Sequence, residues 1–313
     1  GLLAGIPLFY NAGFVVLIPL VFALAKTTRL PLLYVGLPMV APLSVTHGFL
    51  PPHPGPVALA GILGANIGQL LLYGFLLTVP ISILAGIVYP RLVTGRGEVT
   101  TEKPSLVADE GKVLPSALKS FIVVLSPVFF IAAGTIGAYA TTGAVRSAFQ
   151  FIENPTIALL ISLLLTIFLL RTPIATAMVH CIEGVKSIAI IILIIAAGGA
   201  FKQVLVDSNI GEIIKAGTDS LHLSPLVLGW LIAALFRVAL GSATVAALTA
   251  SGLVLPLVTA GVSSELMVLS VGAGSLFCSH VIDTGFWMFK EYFGLTIQQT
   301  FRTWTVMESL ISL

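Results

Sequence analysis

Long apolar stretches without a charged side chain dominate this chain and limit the ways in which it can fold. Residues 57–89 contain no Asp, Glu, Lys or Arg. A helix over them would be roughly 50 Å long at ~1.5 Å per residue, which exceeds the ~30 Å hydrocarbon core of a bilayer. Charged residues make up only 9% of the chain, against about 25% in soluble domains. The sequence therefore predicts an all-α integral membrane protein with several spanning helices.

Composition also excludes several classes of function. The net charge of +2 is too small to indicate a nucleic-acid partner. The two cysteines, Cys181 and Cys278, lie in or beside apolar segments and predict neither a disulfide framework nor a metal site. The chain has no zinc-protease, nucleophile-elbow or Walker motif. We therefore expect no enzyme activity and no cofactor, and a transport function would draw its energy from an ion gradient.

Charge patterning divides the chain into three parts. Residues 1–90 and 120–313 are predicted membrane segments, and residues 91–119 form a polar loop between them. Basic residues near span ends mark the cytoplasmic side, so we place the loop in the cytoplasm. Because the chain lacks an initial Met and stops in an apolar run, we expect a piece of a longer protein, with sequence missing at both ends.

Two interrupted apolar stretches, one in each membrane segment, indicate broken or re-entrant helices. Residues 42–56 hold five prolines and two glycines, which we do not expect to continue a regular helix. Residues 226–260 are too long for one straight span, and we predict a break at 241–244. Residues 57–89 are also too long, and we predict a break in them at 64–69. Matching interruptions in two halves are typical of transporter sites built from inverted repeats, so we predict such repeats here.

Further boundaries follow from local signals. Residues 155–170 are predicted to form a span that ends at Arg171, and Gly198-Gly199 is predicted to end a helix or form a hairpin tip. A final helix is predicted to begin near Thr300.

The candidate ligand-binding residues collect at the two predicted breaks. Ser44 and Thr46 lie at the first, and Gly241, Ser242 and Thr244 at the second. Backbone N–H groups freed at a helix start attract anions such as carboxylates, and hydroxyls can bind a polar substrate. The alternative for each hydroxyl is a hydrogen bond back to its own helix. Taken as two clusters, these residues predict a substrate site between the breaks.

Four ionisable residues are candidates for charge recognition or proton coupling. His47 and His53 titrate near physiological pH, although a neutral histidine can also cap a broken backbone. Arg237 falls near mid-membrane and can balance a substrate carboxylate or pair with an acid on another helix. Asp283 can relay protons, but a helix cap is the commoner role.

Four motifs resemble the gluconate permease family: THGFLPPHPGP at 46–56, RVALGSATVA at 237–246, SHVIDTGFW at 279–287 and TWTVME at 303–308. The resemblance implies a proton symporter for gluconate or a related sugar acid, within the ion transporter superfamily. It also implies inverted repeats, re-entrant hairpins and a homodimer. The family usually has Asn where this chain has Ile282, and a complete member is longer.

The sequence therefore predicts a secondary transporter in the bacterial cytoplasmic membrane that carries a small organic anion together with protons. Two alternatives remain open. One is a permease of the same family for a hydroxy amino acid such as serine, and the other is an uncoupled channel or facilitator for small anions.

Overall fold

The computed structural model describes residues 1–6, 8–93, 115–208, 223–259 and 261–313, and in these ranges every regular element is helical. Much of the predicted cytoplasmic loop, residues 94–114, lies outside the described residues, so its placement stays a prediction. The first membrane segment contains α1 (Leu2–Gly5), α2 (Tyr10–Thr28), α3 (Leu32–Phe49), α4 (Pro54–Leu63), α5 (Ile67–Ile83), a π-helical segment (Leu84–Val88) and α6 (Tyr89–Val93).

The second membrane segment continues with α7 (Ala117–Ala140), α8 (Gly143–Glu153), α9 (Pro155–Leu170), α10 (Ile174–Asp207), α11 (Pro225–Leu240), α12 (Ala243–Thr259) and α13 (Ser264–Gly274). After an irregular stretch come α14 (Thr284–Phe293), α15 (Ile297–Thr300), a second π-helical segment (Phe301–Thr305) and α16 (Val306–Ser312).

Several of these helices are long and apolar enough to cross a bilayer. In the described part of the chain, three segments pass by length and composition: Leu32–Leu63, Ile67–Val93 and Leu118–Ala140. The pair Gly143–Glu153 and Pro155–Leu170 bends by 73° and adds a fourth if it counts as one span. Large apolar side chains, such as Leu76, Phe129 and Leu164, are exposed on the outside. Such an exterior suits a multi-pass membrane protein, because apolar side chains are stable in contact with lipid.

Two predicted interruptions are confirmed. The chain breaks between α4 and α5, where Asn66 caps α5 by accepting a hydrogen bond from the amide of Gln69 at 2.9 Å. It breaks again between α11 and α12, where Gly241 has a left-handed φ of 72°. The predicted end of the span 155–170 at Arg171 and the helix start near Thr300 also agree with the structure.

Of two predictions from helix breakers, one is confirmed only in part and the other is wrong. The helix α3 continues through Pro38 and Pro42 to Phe49, and the chain breaks only after it, before α4 begins at Pro54. Ser44 and Thr46 therefore lie inside a helix and not at its end. The helix α10 likewise runs through Gly198-Gly199 as one element of 34 residues. A proline inside a membrane helix is tolerated because neighbouring groups satisfy the freed backbone, and a single helical glycine costs only ~1 kcal/mol.

The core brings the two membrane segments together. The helix α12 packs against α4, and α13 packs against α3, α4, α5 and α11. One buried apolar cluster joins residues from both segments, among them Phe14, Phe49, Leu276, Phe289 and Trp304. As a result, the break after α11 lies beside α3 and the irregular stretch before α14, although these elements are far apart in sequence.

Candidate functional site

The site is built around the break between α11 and α12. The amide of Gly241 donates to the carbonyl of Arg237 at 2.9 Å and ends α11 in the left-handed conformation. A Cβ atom at this position would lie 2.6 Å from Ile282 Cγ2 and 2.8 Å from the Ile282 carbonyl oxygen. Glycine is therefore required here for two reasons: its backbone has a positive φ, and the segment that contains Ile282 approaches too closely for a Cβ atom.

Arg237 connects both sides of the break. Its side chain is 3% exposed, and its Nη1 donates to the Gly241 carbonyl at 2.5 Å. Its Nη2 forms an ion pair with Asp283 Oδ2. Of the two roles predicted for Arg237, the structure thus shows pairing with an acid, while the same residue also lines a cavity.

Asp283 combines two structural tasks. Its Oδ1 accepts from the amide of Gly285 at 2.9 Å and caps α14, as the sequence favoured. Its Oδ2 accepts from Arg237 Nη2 and from the Ser279 hydroxyl. This carboxylate is therefore held by three donors, which compensate its charge in a largely buried position where unpaired charge is costly.

A cavity of about 310 Å³ opens between these elements. It is lined by residues from α2, α3, α11, α12, the stretch before α14 and the last two helical segments. They include Tyr10, Ser44, His47, Arg237, Leu240, Gly241, Ser242, Thr244, Leu276, Ile282, Asp283, Trp304 and Glu308. The first turn of α12 forms one wall, so its N-terminal amides, which have no partner within the helix, lie at the cavity. The volume is at the lower end of the ~300–1,000 Å³ range of small-molecule sites.

Most of the predicted site residues meet in this cavity. Ser44 and His47 reach it from α3, Arg237 from α11, and Gly241, Ser242 and Thr244 from the second break, with Asp283 opposite. The candidate site therefore lies between α3 and the second break, and residues 50–53, where the chain breaks between α3 and α4, do not line it.

Thr46 and His53 do not line the cavity. Thr46 is fully buried, and its hydroxyl donates to the carbonyls of Pro42 at 2.9 Å and Leu43 at 3.0 Å. His53 is buried with its Nε2 2.6 Å from the Gly5 carbonyl oxygen, and its ring packs edge-on against His47 at 5.3 Å between centroids. For Thr46 the structure therefore shows the back-bonded alternative, and for His53 a histidine bonded to backbone.

The cavity residues that the sequence prediction missed include Tyr10, Trp304 and Glu308. Glu308 is 1% exposed, and its Oε2 accepts from the Ser44 hydroxyl at 2.8 Å. Trp304 Nε1 donates to the Ser279 hydroxyl at 2.7 Å. A signal for Glu308 existed, because an acid inside an apolar final helix is unusual and such residues mark functional sites in membranes.

Unpartnered polar atoms concentrate at this cavity. Among the described residues, five buried side-chain polar atoms have no hydrogen-bond partner: Tyr10 Oη, His47 Nδ1, Ser82 Oγ, Arg237 Nε and Glu308 Oε1. Four of the five belong to residues that line the cavity. Buried polar groups in folded proteins are nearly always satisfied, so this cluster indicates a place where a polar ligand or water completes the hydrogen bonds.

A multi-pass helical membrane protein with a broken helix and a charged, incompletely satisfied cavity belongs to the class of membrane transport proteins. In the described part of the chain, no cluster of His, Cys, Asp or Glu is arranged to hold a metal ion.

Comparison with known proteins identifies the family. The model of the GntP family permease matches residues 1–313. The chain is 48% identical over 324 residues to the Gnt-II system L-idonate transporter of Escherichia coli strain K12, covering 100% of this chain and 73% of that protein. It is 46% identical over 320 residues to a high-affinity gluconate transporter of the same strain, again covering 100% and 73%.

A third relative, the gluconate permease of Bacillus subtilis strain 168, is 43% identical over 328 residues, covering 98% of this chain and 73% of that protein. No solved structure matches the chain. The chain belongs to the GntP permease family, and it is a transporter and not an enzyme.

Proposed function

We propose that this protein is a secondary active transporter that carries a sugar acid such as gluconate with protons across the bacterial cytoplasmic membrane. The observation that carries the proposal is the cluster of unpartnered polar atoms around a cavity that also holds Arg237 and the start of α12. The names of the relatives, which transport gluconate and idonate, support a sugar acid as the substrate class.

The carboxylate of the substrate would bind at the second break. Amides in the first turn of α12, which have no partner within the helix, and the partial positive charge of the helix N-terminus favour an anion there. Arg237 adds a guanidinium whose Nε is buried without a partner. Its Nη1 and Nη2 each donate one N–H, to Gly241 and Asp283, so the Nε N–H and the second N–H of each Nη remain for a ligand.

The hydroxyls of the substrate would face the opposite wall. Tyr10 Oη and His47 Nδ1 lack partners, and Ser44 adds a hydroxyl from α3, while Ser242 and Thr244 add hydroxyls beside the carboxylate. A polyol chain offers both donors and acceptors, so it can satisfy groups of mixed type that a simple inorganic anion would leave unpaired.

Uptake by the full-length protein in proteoliposomes tests this proposal. An inward proton gradient should drive labelled gluconate above its equilibrium concentration, and a protonophore should abolish the accumulation. Unlabelled gluconate and idonate should compete, and serine should not. Equilibration without accumulation would indicate an uncoupled facilitator, and competition by serine alone would indicate an amino-acid permease. Either result would refute the proposed symport of a sugar acid.

A further inference from the structure

Glu308 is the acid in the cavity wall that has no ion-pair partner among the described residues. It lies in the first turn of α16 with 1% of its surface exposed. Its Oε2 accepts one hydrogen bond, from the Ser44 hydroxyl at 2.8 Å, and its Oε1 is buried without a partner.

The second acid of the cavity is in the opposite situation. Asp283 accepts from the guanidinium of Arg237, from the Ser279 hydroxyl and from the Gly285 amide. Arg237 is the cavity's one strong cation among the lining residues, and its ion pair is with Asp283. Because an ionised carboxylate buried with a single hydroxyl donor is strongly disfavoured, the neutral acid is the stable form of Glu308 in the empty cavity.

The groups around Glu308 do not change this conclusion. The titratable residues that share its cavity are Tyr10 from α2, His47 from α3, Arg237 from α11 and Asp283 from the stretch before α14. The π-helical segment Leu84–Val88 packs against α16 and has no titratable side chain. Glu265 of α13, which also packs against α16, is engaged with the Asn66 amide at 2.9 Å.

We infer that Glu308 carries the transported proton and that its protonation is the condition for binding the substrate anion. This inference rests on the proposed function. When Glu308 is neutral, the positive charge of Arg237 and the negative charge of Asp283 cancel, so these three residues give the cavity no net charge. With Glu308 ionised, the same residues sum to one negative charge, which repels a carboxylate.

The proton step is a simple transfer. A proton from water on the side of entry forms an O–H bond at Oε1, the free oxygen of Glu308, while the substrate carboxylate binds in the same cavity. After the substrate leaves on the other side, the cavity is open to water there, which solvates the carboxylate, so the O–H bond breaks and the proton passes to that water. Because the two ligands are thermodynamically linked, each increases the affinity for the other by the same factor, which is the requirement for symport.

Infrared difference spectroscopy on the purified protein tests the first half of this inference without any transport. At neutral pH the wild type should show the carbonyl band of a buried protonated carboxyl group. Glu308→Gln should lack that band and Glu308→Asp should shift it, while Glu183→Gln should retain it. Glu183 is a matched control, because it is an exposed acid on α10 paired only with His180. Absence of the band from the wild type would overturn the inference.

Binding and transport by the same proteins test the second half. In the wild type, affinity for gluconate should fall about tenfold per pH unit once Glu308 loses its proton, and Glu308→Gln should bind with affinity independent of pH. This variant should still exchange labelled for unlabelled gluconate but should lose accumulation under a proton gradient, whereas Glu183→Gln should accumulate like the wild type.

The outcomes separate this inference from the proposed function. Continued proton-driven accumulation by Glu308→Gln, with an unchanged pH dependence, would overturn the role of Glu308 and leave symport intact. Failure of the wild type to accumulate any sugar acid would refute the proposed function, and the infrared band would then still decide whether Glu308 holds a proton.

Discussion

Hydroxyl groups at neighbouring positions of one helix have different partners in this protein. Thr46 donates to two carbonyls of its own helix, as Thr78 and Ser162 do to one carbonyl each. Ser44, two residues before Thr46, instead donates across the cavity to Glu308. Since α3 turns by about 100° per residue, two residues are enough to move a hydroxyl from the cavity wall to the opposite side of the helix.

Ser44→Ala and Thr46→Val therefore form a matched pair. A hydrogen bond between neutral groups contributes about 0.5–1.5 kcal/mol, so loss of the Ser44 hydroxyl, which donates to Glu308 in the cavity wall, should weaken gluconate binding by about two- to tenfold. Thr46→Val should leave the apparent affinity within about twofold, because its hydroxyl bonds only within the helix. Concentration dependence of uptake at equal membrane levels measures both, and equal losses in the two variants would contradict the assignment.

The ion pair between Arg237 and Asp283 has a structural part and a ligand-binding part, which two variants separate. Removal of one partner of a buried pair typically costs about 3–5 kcal/mol, so Arg237→Gln should unfold at a markedly lower temperature in detergent. The double variant Arg237→Gln/Asp283→Asn leaves no unpaired charge and should recover most of that stability. It should still fail to bind gluconate, because the guanidinium is absent. Wild-type affinity in the double variant would show that Arg237 is structural only.

At the scale of helices, the breaks determine where backbone can meet a ligand. Gly64 ends α4 and Gly241 ends α11, both in the left-handed conformation with φ of 70° and 72°. An added Cβ at Gly64 would meet nothing within 4 Å, whereas at Gly241 it would collide with Ile282. Both positions therefore require a left-handed backbone, and only Gly241 is also approached closely by another chain segment, at Ile282.

Gly64→Ala and Gly241→Ala use this difference. A left-handed alanine costs about 1–2 kcal/mol at either position, so both variants should be somewhat destabilised. Gly64→Ala should transport substrate nearly normally. Gly241→Ala should lose transport, because the added methyl group forces Ile282 away and reshapes the cavity wall. Uptake normalised to membrane level measures the effect, and similar activity in both variants would show that the close approach does not matter.

On the scale of the whole molecule, the exposed apolar side chains agree with a protein surrounded by lipid, and the basic residues indicate its orientation. Five Lys and Arg residues within residues 91–119 lie near two span ends: Arg91, Arg96, Lys103, Lys112 and Lys119. Positive charge of this kind stays on the cytoplasmic side. The inverted repeats, the re-entrant hairpins and the homodimer that the family resemblance implies also belong to this scale and remain predictions.

Single cysteines at Gly97 and Ser105 test the orientation. In a background without Cys181 and Cys278, neither new cysteine should react with an impermeant thiol reagent in intact cells, and both should react after the membrane is made permeable. A cysteine at Ser263, at the start of α13, provides a third position for comparison. Ready labelling of positions 97 and 105 in intact cells would reverse the predicted topology.

The sequence by itself determined the class of this protein and the place of its main break. Long apolar runs are local features that only a bilayer can accommodate as helices, and glycines such as Gly64 and Gly241 end helices through their own backbone freedom. The motifs around Arg237 and Asp283 likewise sufficed to indicate the family. Prolines were less reliable, because α3 continues through Pro42 where surrounding groups satisfy the backbone.

Only the tertiary structure decided which residues form the cavity. Whether a hydroxyl of α3 faces the site or its own helix depends on how α3 rotates against its neighbours, and this separates Ser44 from Thr46. The contact between Ser44 and Glu308 joins residues 264 positions apart, and the pair of Arg237 and Asp283 spans 46 positions. No local pattern encodes such contacts, because they result from packing of distant helices, and the role of Glu308 became visible only when that packing placed it in the cavity wall.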